Sequence, residues 1–339
     1  MSEPTGPRVL LLGSGEPGRE LTVALRRLGA EVIAVDEDAV PAELARLEPD
    51  FVTVTDLVSD DVMQVLETGT AELVPSARSV RLTADREALR RLAAEELGLP
   101  TAPFWFVGSV GELTDVAGQA GFPLLLKPTA GAAQRVAGPD DIEPAWRRAV
   151  GTAPRRILVE TQVDIEVEVS LLAVRTDGPT VEFCTPIGHD GAESWQPQRL
   201  SPAATDAAKS VAARIVKALG GRGVFSVELM VNGDEVYFAD VAAGPCPSAW
   251  VTLRSQRLSV YELQARAVLG LPVDTLMVSP GAARVLGPDT GAAGADALAA
   301  ALAVPESDVL GSVAVATAPD VATARDRARQ VASRLKTVR

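Results

Sequence analysis

The stretch from Arg8 to Asp36 constrains the fold more than any other. An apolar run, Arg8–Leu12, meets the turn Gly13-Ser-Gly-Glu-Pro-Gly18. A helical pattern over Glu20–Leu28 follows, Gly29 ends it, and Glu31–Asp36 reads as a second strand. A strand, a tight turn, a helix and a strand make a βαβ unit, which commits the N-terminus to a parallel sheet. The turn spells G-x-G-x-x-G, and an acid stands 18 residues beyond its last glycine. That is the fingerprint of a dinucleotide site. It also has a plainer reading, because any tight βα turn selects such glycines. Pro17 adds only a helix-initiation signal. Length decides between the two. Asp36 to Pro75 leaves room for a helix (Pro41–Leu47), a strand (Phe51–Thr55) and a helix (Ser59–Glu67). A dinucleotide domain needs six strands, so NAD is not expected.

At 339 residues the chain is too long for one ordinary core, and two or three domains are expected. A net charge of −13 argues against a nucleic-acid partner, which would need a basic stripe. It leaves room for a phosphorylated small molecule held by a few local donors. The sequence offers neither an apolar run of about 18 residues nor a charged-then-apolar leader. A soluble cytoplasmic protein with no membrane partner is therefore expected. Cys184 and Cys246 make neither a disulfide framework nor a metal knot.

Further along, Thr83–Gly98 reads as one helix. Thr83 is the expected cap, Asp85 and Glu87 fall in its first turn, and Leu89, Leu92, Ala93 and Leu97 form its apolar stripe. A strand at Pro103–Val107, a helix at Val110–Ala120 and an apolar run ending at Lys127 follow. A lysine there is either a snorkelling edge residue or a cation aimed into a cleft. The centre is rich in strands: Ile157–Glu160, Glu166–Arg175, Thr180–Ile187, and a hairpin of Gly223–Val231 with Glu235–Val241 turning at Asn232-Gly233. Ala203–Leu219 is a long amphipathic helix. The hairpin puts Glu228 and Asp240 roughly opposite, to within one register step. Two such carboxylates either repel at the surface or hold a divalent cation, and the apolar runs around both favour the cation. Residues 281–303 are Ala/Gly-rich, and a strand (Ser312–Ala318) and a helix (Val321–Leu335) close the chain.

One segment fits neither period. Gly188–Pro202 holds the only histidine, His189, and one of four tryptophans, Trp195. It reads as a loop, either a lid over the core or a functional segment.

Several of these segments together resemble the formate-dependent phosphoribosylglycinamide formyltransferases (formyltransferase 2) of the ATP-grasp superfamily. They are Arg8–Glu20, Leu82–Thr101, Gly188–Pro202 and Gly223–Asp240. The similarity runs along nearly the whole chain, with a gap after Asp36. It implies an α/β chain with a shortened Rossmann-like pre-ATP-grasp domain (residues 1–80), an α+β ATP-grasp domain (81–275) and a small α+β cap (276–339). It also implies an ATP- and Mg²⁺-dependent reaction of formate with glycinamide ribonucleotide in purine synthesis, by way of formyl phosphate, in a homodimer. By position, Arg86 and Lys127 would contact ATP phosphates, and Glu160, Thr161, Gln162 and Val163 would line the adenine. Glu168 would bind the ribose, Glu228 and Asp240 would hold Mg²⁺, and Glu16 with Pro17 would touch the second substrate. The resemblance assigns no catalytic residue.

The chain departs from the family pattern in several places. Thr129–Val136 lacks the lysine and serines of the family's phosphate loop and keeps only Arg135 as a cation. Asp240 replaces a glutamate. Ala243-Gly-Pro-Cys-Pro247 stands where the family has Pro-Arg-Pro-His-Asp, and Val54–Val58 lacks an acidic segment. Asp308–Ala314 lacks the pair of arginines that hold the ribonucleotide phosphate. These departures keep an alternative open: a homologue that does no formyl transfer, or that acts on a different acceptor.

Overall fold

The structure is a computed structural model that describes residues 6–128, 133–150, 156–178, 180–287 and 294–335. Its N-terminal sheet has the order Glu31–Val35, Arg8–Leu12, Phe51–Val54, Glu72–Leu73, with every pair parallel. The glycines of the opening turn serve the turn itself. Gly13 sits at φ +118°, in the left-handed half of the map, and a Cβ on Gly18 would lie 1.9 Å from the Gly13 carbonyl oxygen. The helix Glu16–Arg27 can therefore lie close on its strand and bury Leu21, Ala24 and Leu25. Asp36 accepts a hydrogen bond from the Ser14 hydroxyl at 2.8 Å. The acid that the fingerprint assigns to a ribose thus braces the turn.

A small antiparallel sheet follows, in the order Phe104–Val107, Ile157–Thr161, Leu124–Lys127, Gln134–Val136. Helices Val110–Ala120 and Ile142–Val150 close a core with it around Leu113, Leu124, Leu126 and Val159. The main element is a nine-stranded sheet. Its path runs Glu235–Ala242, Gly223–Asn232, Val167–Arg175, Ile187–Asp190, Glu193–Gln196, Gly281–Val285, Val313–Thr317, Ser307–Leu310, and Val181–Phe183 pairs beside Val167–Arg175. The C-terminal strands are thus the far end of the central sheet. Helix Pro202–Leu219 covers one face, packing Ala208, Ile215 and Val216 onto Val169, Leu171, Phe225 and Val227. The buried Gln264 ties the N-terminal sheet to the large one. Its Oε1 accepts from Val224 N–H at 2.7 Å, and its Nε2 donates to Thr53 Oγ1 at 3.2 Å and to the Val74 carbonyl at 3.4 Å.

Three expectations are corrected here. The helix expected over Thr83–Gly98 is broken. One helix, Ala77–Ala84, ends at Asp85; a second, Arg86–Arg91, begins there and passes into a π-helical turn, Leu92–Glu96. Asp85 is the cap, accepting from the Glu87 and Ala88 amides at 3.0 Å, and its extended backbone makes the break. The Thr83 hydroxyl instead donates back to the Ser79 carbonyl. Gly188–Pro202 is not one loop either. Most of it is the hairpin of Ile187–Asp190 and Glu193–Gln196. The alternation fails because all four residues of the second strand are buried, two of them on each face. The expected strand Thr180–Ile187 accordingly splits into Val181–Phe183 and the start of this hairpin.

Candidate active site

One face of the large sheet gathers the polar residues. Register places Ser170 opposite both Glu228 and Ile187, Glu168 opposite His189, and His189 opposite Ser194. Glu228 and Asp240 are direct partners across their hairpin, which removes the one-step ambiguity of the sequence. The Glu228 carboxylate accepts from Ser170 Oγ at 2.7 and 2.9 Å, and its Oε2 lies 2.8 Å from His189 Nε2. His189 Nδ1 is 3.7 Å from Glu168. Burial alone would lower the His189 pKa. The Glu228 hydrogen bond and the charges of Glu228, Glu168 and Asp190 outweigh it and hold the imidazole above its ordinary value. The chain of hydrogen bonds continues from Ser170 Oγ to Ser248 Oγ at 2.6 Å and on to Cys246 Sγ at 2.9 Å. Desolvation pushes the Cys246 thiol up to about 11 and that of Cys184 to about 12, so neither serves as a thiolate nucleophile near neutrality.

The cations come from the small sheet and the broken helix. Lys127 closes its strand with Nζ 2.6 Å from Glu160 Oε2. Glu160 is almost fully buried and also pairs with buried Arg90. Arg90 fixes itself on the Phe238 and Ala239 carbonyls. The carboxylate of Glu160 therefore neutralises two cations and orients Lys127. Arg86 donates to the Pro128 carbonyl at 2.6 Å and lies 3.8 Å from Asp240. Desolvation raises the Asp240 pKa against the opposing pull of Arg86, the Val241 amide, Arg90 and Lys127.

Thr161, Gln162 and Val163 begin the segment that leads from the small sheet to the large one. The Thr161 and Gln162 amides are spent on the Pro103 and Pro123 carbonyls, and Gln162 Oε1 accepts from Arg135 at 3.0 Å. Of the phosphate-loop stretch, Thr129–Ala132 lies outside the described residues. Glu16 sits elsewhere. Its carboxylate accepts from the Ser312 amide at 2.7 Å and the Ser312 hydroxyl at 2.6 Å. Pro17 stands beside it in the first helical turn.

The convergent residues border two adjoining cavities. One, of about 620 Å³, is lined by Thr55, His189, Glu228, Asp240, Pro245 and Ser248 among others. The second, of about 570 Å³, holds Arg86, Lys127 and Arg156, and the two share Val58, Val80 and Ala84. Neither Glu16 nor Pro17 lines either cavity. Arg86, Lys127, Glu160, Glu228 and Asp240 are thus brought together, and Glu168 joins them through His189.

Sequence reasoning missed Arg90, Ser170 and the role of His189. A signal existed for two of them. Arg90 follows Arg86 by four residues, on the same helical face, and Ser170 interrupts an apolar strand. His189 gave no such signal, because its partner lies 39 residues away.

Among the described residues, no group of three or more His, Cys, Asp or Glu side chains could hold a metal by itself. Glu228 and Asp240 still suit Mg²⁺, which is commonly bound by one or two carboxylates with phosphate oxygens and water completing the shell.

The ATP-grasp domain family matches residues 92–261, the span that carries Lys127, Glu160, Glu228 and Asp240. Formate-dependent phosphoribosylglycinamide formyltransferase of Rhodococcus jostii is 43% identical, the match covering 98% of this chain and 95% of that one. The Corynebacterium glutamicum protein of the same name is 42% identical, with the same coverage. The first alignment is 385 positions long against 339 residues here, so the relative carries stretches that this chain lacks. Among solved structures, glycinamide-RNase-transformylase T of Mycobacterium tuberculosis is 56% identical with a TM-score of 0.84, covering 96% of this chain and 99% of that one. A carboxyaminoimidazole ribonucleotide synthase from Aspergillus clavatus, 22% identical with a TM-score of 0.84, shares the fold. With its cations and paired carboxylates set on an ATP-grasp frame, this chain belongs to the formate-dependent phosphoribosylglycinamide formyltransferase family.

Proposed function

We propose that this chain is an ATP-driven formyltransferase. Formate oxygen attacks the γ-phosphorus of ATP, the bond to the β,γ-bridging oxygen breaks, and ADP leaves. The lone pair of an amine then attacks the formyl carbon, the carbon–oxygen bond to phosphate breaks, and inorganic phosphate departs with the amine proton. Relatives are named for phosphoribosylglycinamide, which makes it the first acceptor to assay. The observation that carries this reading is the convergence of Lys127 and Arg86 with the facing Glu228 and Asp240.

Such a reaction is run by positioning and charge. Lys127, held by Glu160, and Arg86, held by the Pro128 carbonyl, would meet the nucleotide phosphates. Thr161, Gln162 and Val163 would edge the adenine, and Glu168 would bind the ribose. Glu228 and Asp240 would hold Mg²⁺, which supplies positive charge to phosphate oxygens when bound. Ser170 and His189 fix the Glu228 carboxylate in place. The same reading carries the division into residues 1–80, 81–275 and 276–339, a homodimer and a cytoplasmic location. The test is incubation with Mg-ATP, formate and phosphoribosylglycinamide. ADP and an N-formyl product are expected, and no ADP above background with any amine sinks the reading.

A second reading, the same chemistry on a different acceptor, is favoured by one observation: neither lysine nor arginine lines the 620 Å³ cavity among the described residues.

A further inference from the structure

The strand Glu235–Ala242 breaks its own alternation just before Asp240. Val236, Phe238 and Val241 all belong to the core beneath helix Pro202–Leu219, together with Val227 and Leu229 of the partner strand. Side chains two apart in a strand share a face. In a regular strand Asp240 would therefore follow Phe238 into that core. It does not, because the ladder skips one residue. Leu229 pairs with Phe238 and Glu228 with Asp240, which leaves Ala239 as the extra residue of a β-bulge. The bulge turns Asp240 onto the site face, opposite Glu228, where both line the larger cavity.

Glu235–Ala242 is also the edge of the nine-stranded sheet, and among the described residues no further strand pairs with its outer side. Arg90 takes that place. Its Nη1 donates to the Phe238 carbonyl at 3.0 Å and its Nη2 to the Ala239 carbonyl at 2.8 Å, the two carbonyls of the bulge. Nη2 also donates to Glu160, whose other oxygen holds Lys127. The residue is 2% exposed, and its guanidinium carbon lies 5.7 and 5.8 Å from the ring centres of Phe104 and Phe238. A buried guanidinium is costly unless its donors are met. Here they are met from both sheets at once, by the bulge of the large one and by Glu160 of the small one. Arg86, one turn earlier on the same helix, lies 3.8 Å from Asp240.

We propose that Arg90 is a positioning residue of the nucleotide site. It pins the bulge at Ala239, which aims Asp240 at the metal, and through Glu160 it sets Lys127 toward the phosphates. The inference rests on the formyl-transfer reading, from which the roles of Asp240 and Lys127 come, and deepens it. A guanidinium suits the task because its donors form a rigid planar fork that spans separate acceptors. A lysine would keep the charge but has one nitrogen to share between two carbonyls and a carboxylate. Metal ligand and phosphate cation, which lie on different sheets, are thereby referred to one side chain.

The test titrates the full chain with ATP at a series of Mg²⁺ concentrations, by calorimetry, for the wild type, Arg90→Lys, Arg90→Met and Glu160→Gln. Arg90→Lys keeps a charge beside Glu160 but releases the bulge, and it carries the test if Arg90→Met does not fold. It should raise the Mg²⁺ needed for half-maximal nucleotide binding about tenfold, the scale for partners of metal ligands. Glu160→Gln leaves Arg90 on both carbonyls and frees Lys127. It should weaken nucleotide binding with the Mg²⁺ requirement close to that of the wild type. This split separates positioning from packing. An unchanged Mg²⁺ requirement in Arg90→Lys, with only a lower urea midpoint, makes Arg90 a plug for an open strand edge and overturns the proposal. An equal rise in Arg90→Lys and Glu160→Gln also overturns it, as the mark of general loosening. Absence of nucleotide binding by the wild type refutes the formyl-transfer reading instead. Crystal structures of the wild type and Arg90→Lys then decide. A lost bulge, or Asp240 turned away from Glu228, supports the role of Arg90, and Asp240 still facing Glu228 beside an intact bulge overturns it.

Discussion

Glu193 and Glu228 are both shielded carboxylates of one sheet, and they have opposite surroundings. Glu193 lies on the reverse face, where it receives Arg284, Arg325 and Arg329. Arg325 also stacks on Trp195, its guanidinium carbon 3.9 Å from the ring centre. Three cations around one anion leave nothing for a further cation to find. Glu228, on the site face, is held by a hydroxyl and one imidazole. Those partners orient the carboxylate and surround it with fewer cations than the three arginines of Glu193. Burying a carboxylate under guanidiniums makes a fastener. Holding one with a hydroxyl and a single imidazole leaves it fit to be a ligand.

The comparison can be broken most directly at Glu228. Glu228→Gln should lower Mg-ATP-dependent ADP release by about 100-fold, the scale of losing metal-assisted charge stabilisation, with a small change in urea midpoint. A large stability loss with turnover retained would reverse its assignment. Glu193→Gln should do the opposite. It should cost about 3 kcal/mol of unfolding free energy, at the low end for breaking a buried pair because its arginines are partly exposed, and preserve turnover per folded molecule. Acid should sharpen this second case. Burial raises the Glu193 pKa, but the Arg329 and Arg325 hydrogen bonds and charges outweigh it, and the net shift is downward. A depressed pKa gives stability that is complete above the unfolded value and fades as pH falls through the folded one. The wild-type advantage over Glu193→Gln should therefore be full at pH 7 and shrink below about pH 4.5, the ordinary carboxylate value. Urea midpoints at both pH values measure it, and an advantage that grows in acid would refute the sign. The smallest effect is expected for His189→Ala, about a tenfold rise in the Mg²⁺ needed for half-maximal ADP release, as for other partners of metal ligands. An unchanged Mg²⁺ requirement would make His189 a packing residue.

What the sequence disclosed follows the range of the interactions. Helices Val110–Ala120 and Val321–Leu335 occur at the residues that their local patterns mark. Asn232-Gly233 turns the hairpin, and through it places Glu228 against Asp240. Local chemistry also set the helix boundary at Asp85, since Thr83 and Asp85 are both plausible caps two residues apart. The hairpin Ile187–Gln196 was hidden for a different reason. Its buried polar groups are satisfied from far away, Glu193 by arginines 91 to 136 residues distant and Gln196 by Ser255, 59 residues on. The link from Lys127 through Glu160 to Arg90 spans 70 residues between the last two and leaves no trace in local pattern. The sequence alone therefore names the cations and carboxylates of the site, but not the partners that decide which of them are available.

The side chain of Gln264 carries a consequence for how the molecule assembles. It joins Thr53, 211 residues away, and Val74, 190 residues away, to the strand that begins at Gly223. Contacts of such sequence separation form late, because closing so long a loop costs entropy before any bond repays it. The cavity wall at Val54–Val58 lies directly beyond Thr53. That wall is therefore completed only when the N-terminal sheet docks, and a ligand of the cavity would recognise only the finished molecule.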